Sequence, residues 1–550
     1  MKSFQRIAVP AEVILGVVAV VSWAARDPIE PIGTSTWTYG DDFEATIDKI
    51  DSYFGTKWRN EKITPAQPAD ELLVLRRLSL ALHGTVPSLE ELRDFEADTR
   101  ADRLRMWTLR MIDDQRFADY FAERLARSFV GVGEGQFLIF RRNRFVAWLS
   151  EQLKNKRPYD EVVRDMISST GLWTGQPATN FVTVGFANEE FDANKLAGRS
   201  VRAFLGQRID CAQCHNHPFD HWTQEDFEGL AAHFAHVDMT AVGIRDTTMR
   251  KKEKNKKELE PVEFVVEDRE TLKERVVTPR VPFNEEWVPE EGSRREQLAQ
   301  WITHENNRRF ERAISNRIWG LMFGRSYYAP VDDLTDPVDG EVDILDILGQ
   351  DMRKHNYDLQ RMILLIANSF AFRLESAHAE EDELALERLK DTFAVFPMTR
   401  LRPEQWIGAM QQSGNIKTVD ARSHLLHRFL KVVRTNDFVK EYGDLGENEL
   451  EERTGTIPQA LLRMNGQLSR ELSKPDVFTS AGRIAAMASS DEKCLETTYL
   501  VCLTRRPGAE EKQHFMAQFN EAKAKDQGRD KVIEDIFWTL FNSPEFSWNY

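Results

Sequence analysis

The chain has 550 residues, 41% hydrophobic and 29% charged, with a formal net charge of −16. This composition is globular and argues against global disorder. The length exceeds what one hydrophobic core usually serves and predicts two domains, and the acidic balance excludes general nucleic-acid binding, which needs a basic surface to neutralise phosphates.

Lys2 and Arg6 precede an apolar run from Val13 to Ala25, in which Ser22 and Ala24 supply small residues before a cut after Ala24. Positive residues, a short apolar stretch and small residues are the layout of a secretory leader. The run is shorter than the about 20 residues of a comfortable membrane span. Residues 1–24 therefore read as a signal peptide, with an uncleaved N-terminal anchor as the alternative. The chain is expected to be exported to the periplasm or cell envelope, with any membrane attachment confined to this end. No later stretch is long and apolar enough to span.

Residues 25–62 read as a linker, with Pro28, Pro31 and Gly33 near its start and one short helix near Phe43–Phe54. From Asp70 the pattern is helical. Asp70 is placed to cap a helix over Glu71–Leu82 that Gly84 ends, and Ser88 with Glu91 forms a capping box. Apolar residues at helical spacing run through Leu104, Trp107, Met111 and Ile112, then Phe117, Tyr120, Phe121, Leu125 and Phe129. Further helices are predicted over Arg144–Leu153, after Pro158, over Phe191–Leu205 and from Thr223 to about His236. Arg250–Lys257 is a basic run read as a solvated loop, and Val262–Val266 with Val276–Val281 are candidates for a small β hairpin. In the second half Ser293 and Glu296 form another capping box. Helices are predicted at about 294–304, 310–323, 341–354, 359–371, 403–413, 458–473, 476–489, 492–503, 508–525 and 530–541. The expected fold class is mainly α: a helical domain over 63–245, a charged linker with the hairpin over 246–290, and a second helical domain over 291–550.

Four cysteines in an exported chain exclude a disulfide scaffold. Cys494 and Cys502, eight apart on a predicted helix, are separated by about 12 Å of rise, too far for a disulfide, and read as small buried hydrophobes. Cys211 and Cys214 differ. The stretch Cys211-Ala212-Gln213-Cys214-His215-Asn216-His217-Pro218-Phe219-Asp220-His221 contains the Cys-x-x-Cys-His pattern of covalent c-type haem attachment. Two thiols one turn apart reach the two vinyl groups of a porphyrin, and His215 then ligates the iron. The same stretch offers zinc a tetrahedral set in Cys211, Cys214, His217 and His221. A redox Cys-x-x-Cys and a cofactor-free pair of thiols are the remaining readings. His233 and Met239 are the candidate second axial ligands. No G-x-S-x-G, P-loop or H-E-x-x-H is present, and an acid/base pair for work on an envelope polysaccharide is not selectable among the many carboxylates.

The run CAQCHNHPFDHWTQEDFEGLAAHF at Cys211–Phe234 resembles the signature of the planctomycete cytochrome-c-type domain of the second type. LRRLSLALHGTVPSLEELRDF at Leu75–Phe95, RPYDEVVRDMI at Arg157–Ile167 and ANKLAGRSVRAFLG at Ala193–Gly206 are similar to it as well. NRIWGLMFGRSYYAPVDDL at Asn316–Leu334, YDLQRMILLIANS at Tyr357–Ser369, IPQALLRMNG at Ile457–Gly466, LTRRPGAEE at Leu503–Glu511 and NSPEF at Asn542–Phe546 resemble the planctomycete surface-type domain that commonly follows it. Both are families of unknown function. The resemblance covers about 65–550 and implies a cytochrome c character at Cys211, Cys214 and His215. Where relatives tend to read Asn-Pro-Pro-Ser-His-Pro, this chain has TDPVDGEVD at 335–343, so no role for a histidine there carries over. Two functions compete: an envelope haem protein that transfers electrons with a redox partner protein or performs a haem-linked oxidation, and a non-catalytic surface or binding protein with a structural zinc or no cofactor. Nothing in the residues decides whether the chain is an enzyme.

Overall fold

A computed structural model of the chain describes residues 42–133, 140–187, 190–251, 258–267, 272–338, 340–380, 382–419 and 466–550. Between 420 and 465 it describes only 438, 439, 442, 443, 446, 450, 456, 459 and 464. The expected leader and most of the basic run at 250–257 lie outside the described residues. Among the described residues there are 21 α-helices against five antiparallel two-stranded sheets, so the fold is mainly α. None of these helices is long and apolar enough to cross a membrane.

The N-terminal caps form as their residues dictate. Asp70 accepts from Leu72 N, and the Ser88/Glu91 and Ser293/Glu296 capping boxes close on both sides. The helix expected over Phe43–Phe54 runs on to Glu61, and this part of the expected linker is core. Phe43, Ile47, Ile50, Phe54 and Trp58 keep one apolar stripe through its whole length and are all buried. Phe54 stacks on Trp319 with ring centroids 5.7 Å apart, and Trp58 Nε1 donates to the Thr392 carbonyl at 3.0 Å.

One hydrophobic cluster extends from Phe43 to Phe546, so the two halves of the chain share a core. The Glu71–His83 helix illustrates the sharing. Its Arg77 is buried and donates to the carbonyls of Phe372 (3.3 Å) and Leu374 (2.6 Å), with the guanidinium over the Phe396 ring. Of the strand pairs, Phe264–Glu267 against Glu274–Val277 is the expected hairpin. Val237–Thr240 with Gly243–Asp246, and Met249–Lys251 with Leu259–Pro261, add two more. In the second half the helices begin and end within a few residues of expectation. A helix over Glu383–Asp391 adds to the expected set; Leu389 is its one fully buried side chain, with Leu386 half-buried beside it. The 458–473 helix is described as Gln467–Ser473. Cys494 and Cys502 are free and buried, and burial pushes both thiols up, Cys494 to about 11.

Candidate cofactor loop and the wall behind it

The Ala193–Phe204 helix leads into the site. Gly206 then turns the chain at φ +67°, a backbone conformation that favours glycine. A Cβ there would stand 3.1 Å from Ala313 Cβ, on the Arg308–Phe323 helix. Ile209 is buried, and Asp210–Gln213 forms one 3₁₀ turn fixed by an ion pair from Arg202 to Asp210 at 2.5 Å. Ala212 is the inward residue of that turn and is fully buried. Cys211 and Cys214 are both exposed, and neither is part of a disulfide. Cys214 caps the turn, its N donating to the Cys211 carbonyl at 3.3 Å, so the two cysteines are one turn apart.

Residues 215–221 form an exposed loop closed by His217 N donating to the Trp222 carbonyl at 2.8 Å. Gln224 N donates to Asn216 Oδ1 at 3.0 Å. Trp222 anchors the loop in the core, and its indole N–H meets no acceptor among the described residues. The Gln224–Ala232 helix follows from a Thr223/Asp226 capping box and ends short of the expected His236.

The three histidines of the loop are held differently. His215 Nδ1 faces the Asn216 carbonyl at 2.7 Å. A carbonyl only accepts, so Nδ1 carries the proton in the neutral ring and the Nε2 lone pair is left for a metal. His217 Nδ1 instead accepts from Phe219 N at 3.4 Å, which commits its lone pair. His221 Nδ1 lies 2.6 Å from Asp220 Oδ1 and 3.7 Å from Asp336 Oδ2, and its ring stacks on Trp222. The structure does not bring the zinc set together: no three of Cys211, Cys214, His217 and His221 place ligand atoms within 4.8 Å of one another. Among the described residues the one such group is Asp42, Asp351 and His355, where Lys354 and Arg361 already pair with the carboxylates. The candidate axial ligand His233 is buried, bonds the Gly229 carbonyl through Nδ1 at 3.0 Å, and is held down to about 4 by burial. Met239 lies on the Val237–Thr240 strand, half-buried against the core.

No spacing between residues marks the wall behind this loop. Residues 332–336 dock onto its first arm. Leu334 N donates to the Gly206 carbonyl at 2.7 Å, and Arg208 N donates to Asp333 Oδ1 at 3.2 Å. Arg208 Nη2 pairs with the buried Asp332 carboxylate at 2.7 Å, and Gln207 Nε2 reaches Asp336 Oδ1 at 2.8 Å. Arg309 pairs with the same Asp336 oxygen at 2.6 Å. The cofactor loop is therefore braced by carboxylates more than 120 residues away.

A porphyrin needs two accessible thiols and a histidine nitrogen with a free lone pair. Both cysteines are exposed and His215 engages the Asn216 carbonyl through Nδ1, leaving Nε2 for a metal, whereas the zinc set requires His217 to give up its contact with Phe219 and the loop to close on the sulfurs.

Comparison with known families gives two matches. Residues 49–239 match PSCyt2, a protein of unknown function (DUF1549), and residues 294–519 match PSD1, a protein of unknown function (DUF1553). No curated protein and no solved structure matches the chain.

Proposed function

Because the chain belongs to the DUF1549 family through its first half and to the DUF1553 family through its second, and neither description carries an activity, we propose a function from its one solvent-facing cysteine–histidine site: it is an exported cell-envelope protein that carries c-type haem and exchanges electrons with a partner protein. Cys211 and Cys214 hold the porphyrin covalently and His215 ligates the iron. The bound haem supplies one-electron redox chemistry.

The observation that carries this reading is His215. Its Nδ1 proton is committed to the Asn216 carbonyl at 2.7 Å, and this is the arrangement that orients a histidine for ligation through Nε2. Two exposed cysteines one turn apart, joined by the Cys214 N to Cys211 carbonyl bond, support it. The remaining residues position. Arg202 fixes the turn through Asp210, Trp222 roots the far end of the loop, and Asp332 and Asp336 brace the near end. A solvent-facing attachment suits edge contact with another protein, which favours electron exchange over oxidation of an enclosed small substrate. Export rests on Lys2, Arg6 and the Val13–Ala25 run, and places the protein where covalent attachment to Cys-x-x-Cys-His takes place.

The test is a pyridine haemochrome spectrum on full-length protein co-produced with the c-type maturation machinery. Covalent haem that Cys211→Ser plus Cys214→Ser abolishes is the expected result. Exported, folded protein without covalent haem overturns the proposal. About one zinc per chain with no Soret band would assign the cluster to a structural metal in a non-catalytic binding protein.

A further inference from the structure

A groove of about 810 Å³ runs along the outer face of the Phe43–Glu61 helix, well apart in sequence from the cofactor loop. One wall is the polar face of that helix from Asp48 to Glu61, about 20 Å of helical rise. The other is formed by Val342, Ile347 and Gln350. Lys57 lines the groove, a lysine without a counter-ion among the described residues. Its ammonium donates to Tyr327 Oη at 3.0 Å and lies 5.1 Å from the centre of that ring, and Tyr327 Oη in turn bonds Tyr53 Oη at 2.7 Å. Among the described residues no carboxylate comes within ion-pair distance of Lys57. Glu61, Asp343 and Asp391 act on it only from further away, and desolvation, the larger effect, lowers its pKa. An ammonium has three donors, so a half-buried one with a single hydroxyl partner and no carboxylate is short of acceptors.

The rest of the lining selects the kind of molecule that supplies them. Ser52, Thr56, Asn60 and Gln350 present hydroxyl and amide groups that both donate and accept, and Tyr53 adds a ring edge. Apart from Lys57, one lysine faces two acids, so the rim alone does not draw a polyanion. The aliphatic side chains of the lining are Val342 and Ile347, and the Tyr53 ring joins them. Hydroxyl and amide groups along an open trough suit a polyhydroxylated chain, and Lys57 suits one carboxylate on it.

We propose that this groove is a binding site for an acidic oligosaccharide, with a uronate carboxylate seated on Lys57 and sugar hydroxyls on Ser52, Thr56, Asn60 and Gln350. The site is independent of haem, so its success or failure leaves the reading of the cofactor loop untouched.

Isothermal titration of the full-length protein with trigalacturonate, and with maltotriose as the neutral counterpart, tests it. The acidic trisaccharide is expected to bind, with maltotriose about tenfold weaker or worse, as the loss of a charged hydrogen bond dictates. Lys57→Met should weaken trigalacturonate about tenfold while leaving maltotriose unchanged. Asn60→Ala with Gln350→Ala, both away from the core, should weaken both sugars, which keeps the test valid if Lys57→Met does not fold. Absence of binding by trigalacturonate overturns the proposal. So does equal binding of the two sugars, or trigalacturonate affinity unaffected by both sets of substitutions.

Discussion

Gln207 and Asp336 lie 129 residues apart in the chain and meet at 2.8 Å, Nε2 donating to a carboxylate oxygen that Arg309 also holds. Through this pair, and through Arg208 on Asp332, the segment that carries Cys211 and Cys214 is braced by the DUF1553 half of the molecule. The site is thus built by both families together.

Removing the brace should loosen the loop locally. Asp332 is buried, with Arg208 on one oxygen and Arg202 3.8 Å from the other. Asp332→Ala is expected to cost about 1–3 kcal/mol of stability, since it leaves guanidinium groups without their carboxylate. Amide hydrogen exchange should accelerate over 206–222 and stay unchanged in the Glu71–His83 helix. Uniform acceleration would show that the carboxylate supports the core and not the loop.

Exposure of the thiols predicts a clean separation of cofactor from fold. Cys211→Ser plus Cys214→Ser changes two exposed residues that the core does not use, so the urea midpoint of cofactor-free protein should move by less than about 0.5 kcal/mol equivalent. The same pair should eliminate covalent haem. A large loss of stability in the cofactor-free variant would mean that the thiols are structural.

Glu311 predicts an alkaline weakness. It is buried against Gly349, and burial pushes its carboxyl up to about 7 despite Arg353, whose Nη2 lies 3.3 Å from Oε1. A carboxyl raised on folding binds its proton more tightly in the native state, so stability is full below the unfolded value near 4.5 and is lost as pH rises toward 7. Glu311→Gln keeps an acceptor for Arg353 and removes the charge. It should raise stability at pH 8 by up to about 3 kcal/mol and have little effect at pH 4.5. Denaturant midpoints at the two pH values read this directly.

His83 and His233 predict the opposite window. Burial holds both imidazoles down to about 4. A histidine lowered on folding takes its proton first in the unfolded chain, so stability is full above about 6.5 and falls as pH drops to about 4. His233→Asn retains a donor for the Gly229 carbonyl and should flatten that acid slope by up to about 3 kcal/mol. An unchanged slope would assign acid sensitivity to other groups.

Local chemistry was legible in the sequence where it is self-contained. Asp70, Ser88, Thr223 and Ser293 cap the helices they precede, and the stripe of the Phe43–Glu61 helix is written in Phe43, Ile47, Ile50, Phe54 and Trp58. That stripe extends beyond Phe54, and the segment read as linker is core because its apolar face had a partner, Trp319, that no local pattern names. The Glu383–Asp391 helix stands outside the expected set and fully buries one leucine. At the site, the Cys-x-x-Cys-His spacing located the residues. The difference between His215 and His217 was out of reach, since it rests on which ring atom meets a carbonyl and which meets an N–H. Asp332 and Asp336 were equally invisible, because an ion pair across more than 120 residues leaves no periodic trace.

The single 3₁₀ turn over Asp210–Gln213 has a consequence for the order of events in making this protein. Ala212 is the side chain it gives to the core, and both cysteines stay exposed after the core has closed. On the proposed haem reading, attaching the cofactor and packing the helices are then separate steps, unlike a small metal-dependent domain in which one is the other. On that reading a chain that folds before its thiols are modified remains a substrate for modification, so the supply of haem would set how much of the protein is loaded without setting how much of it survives.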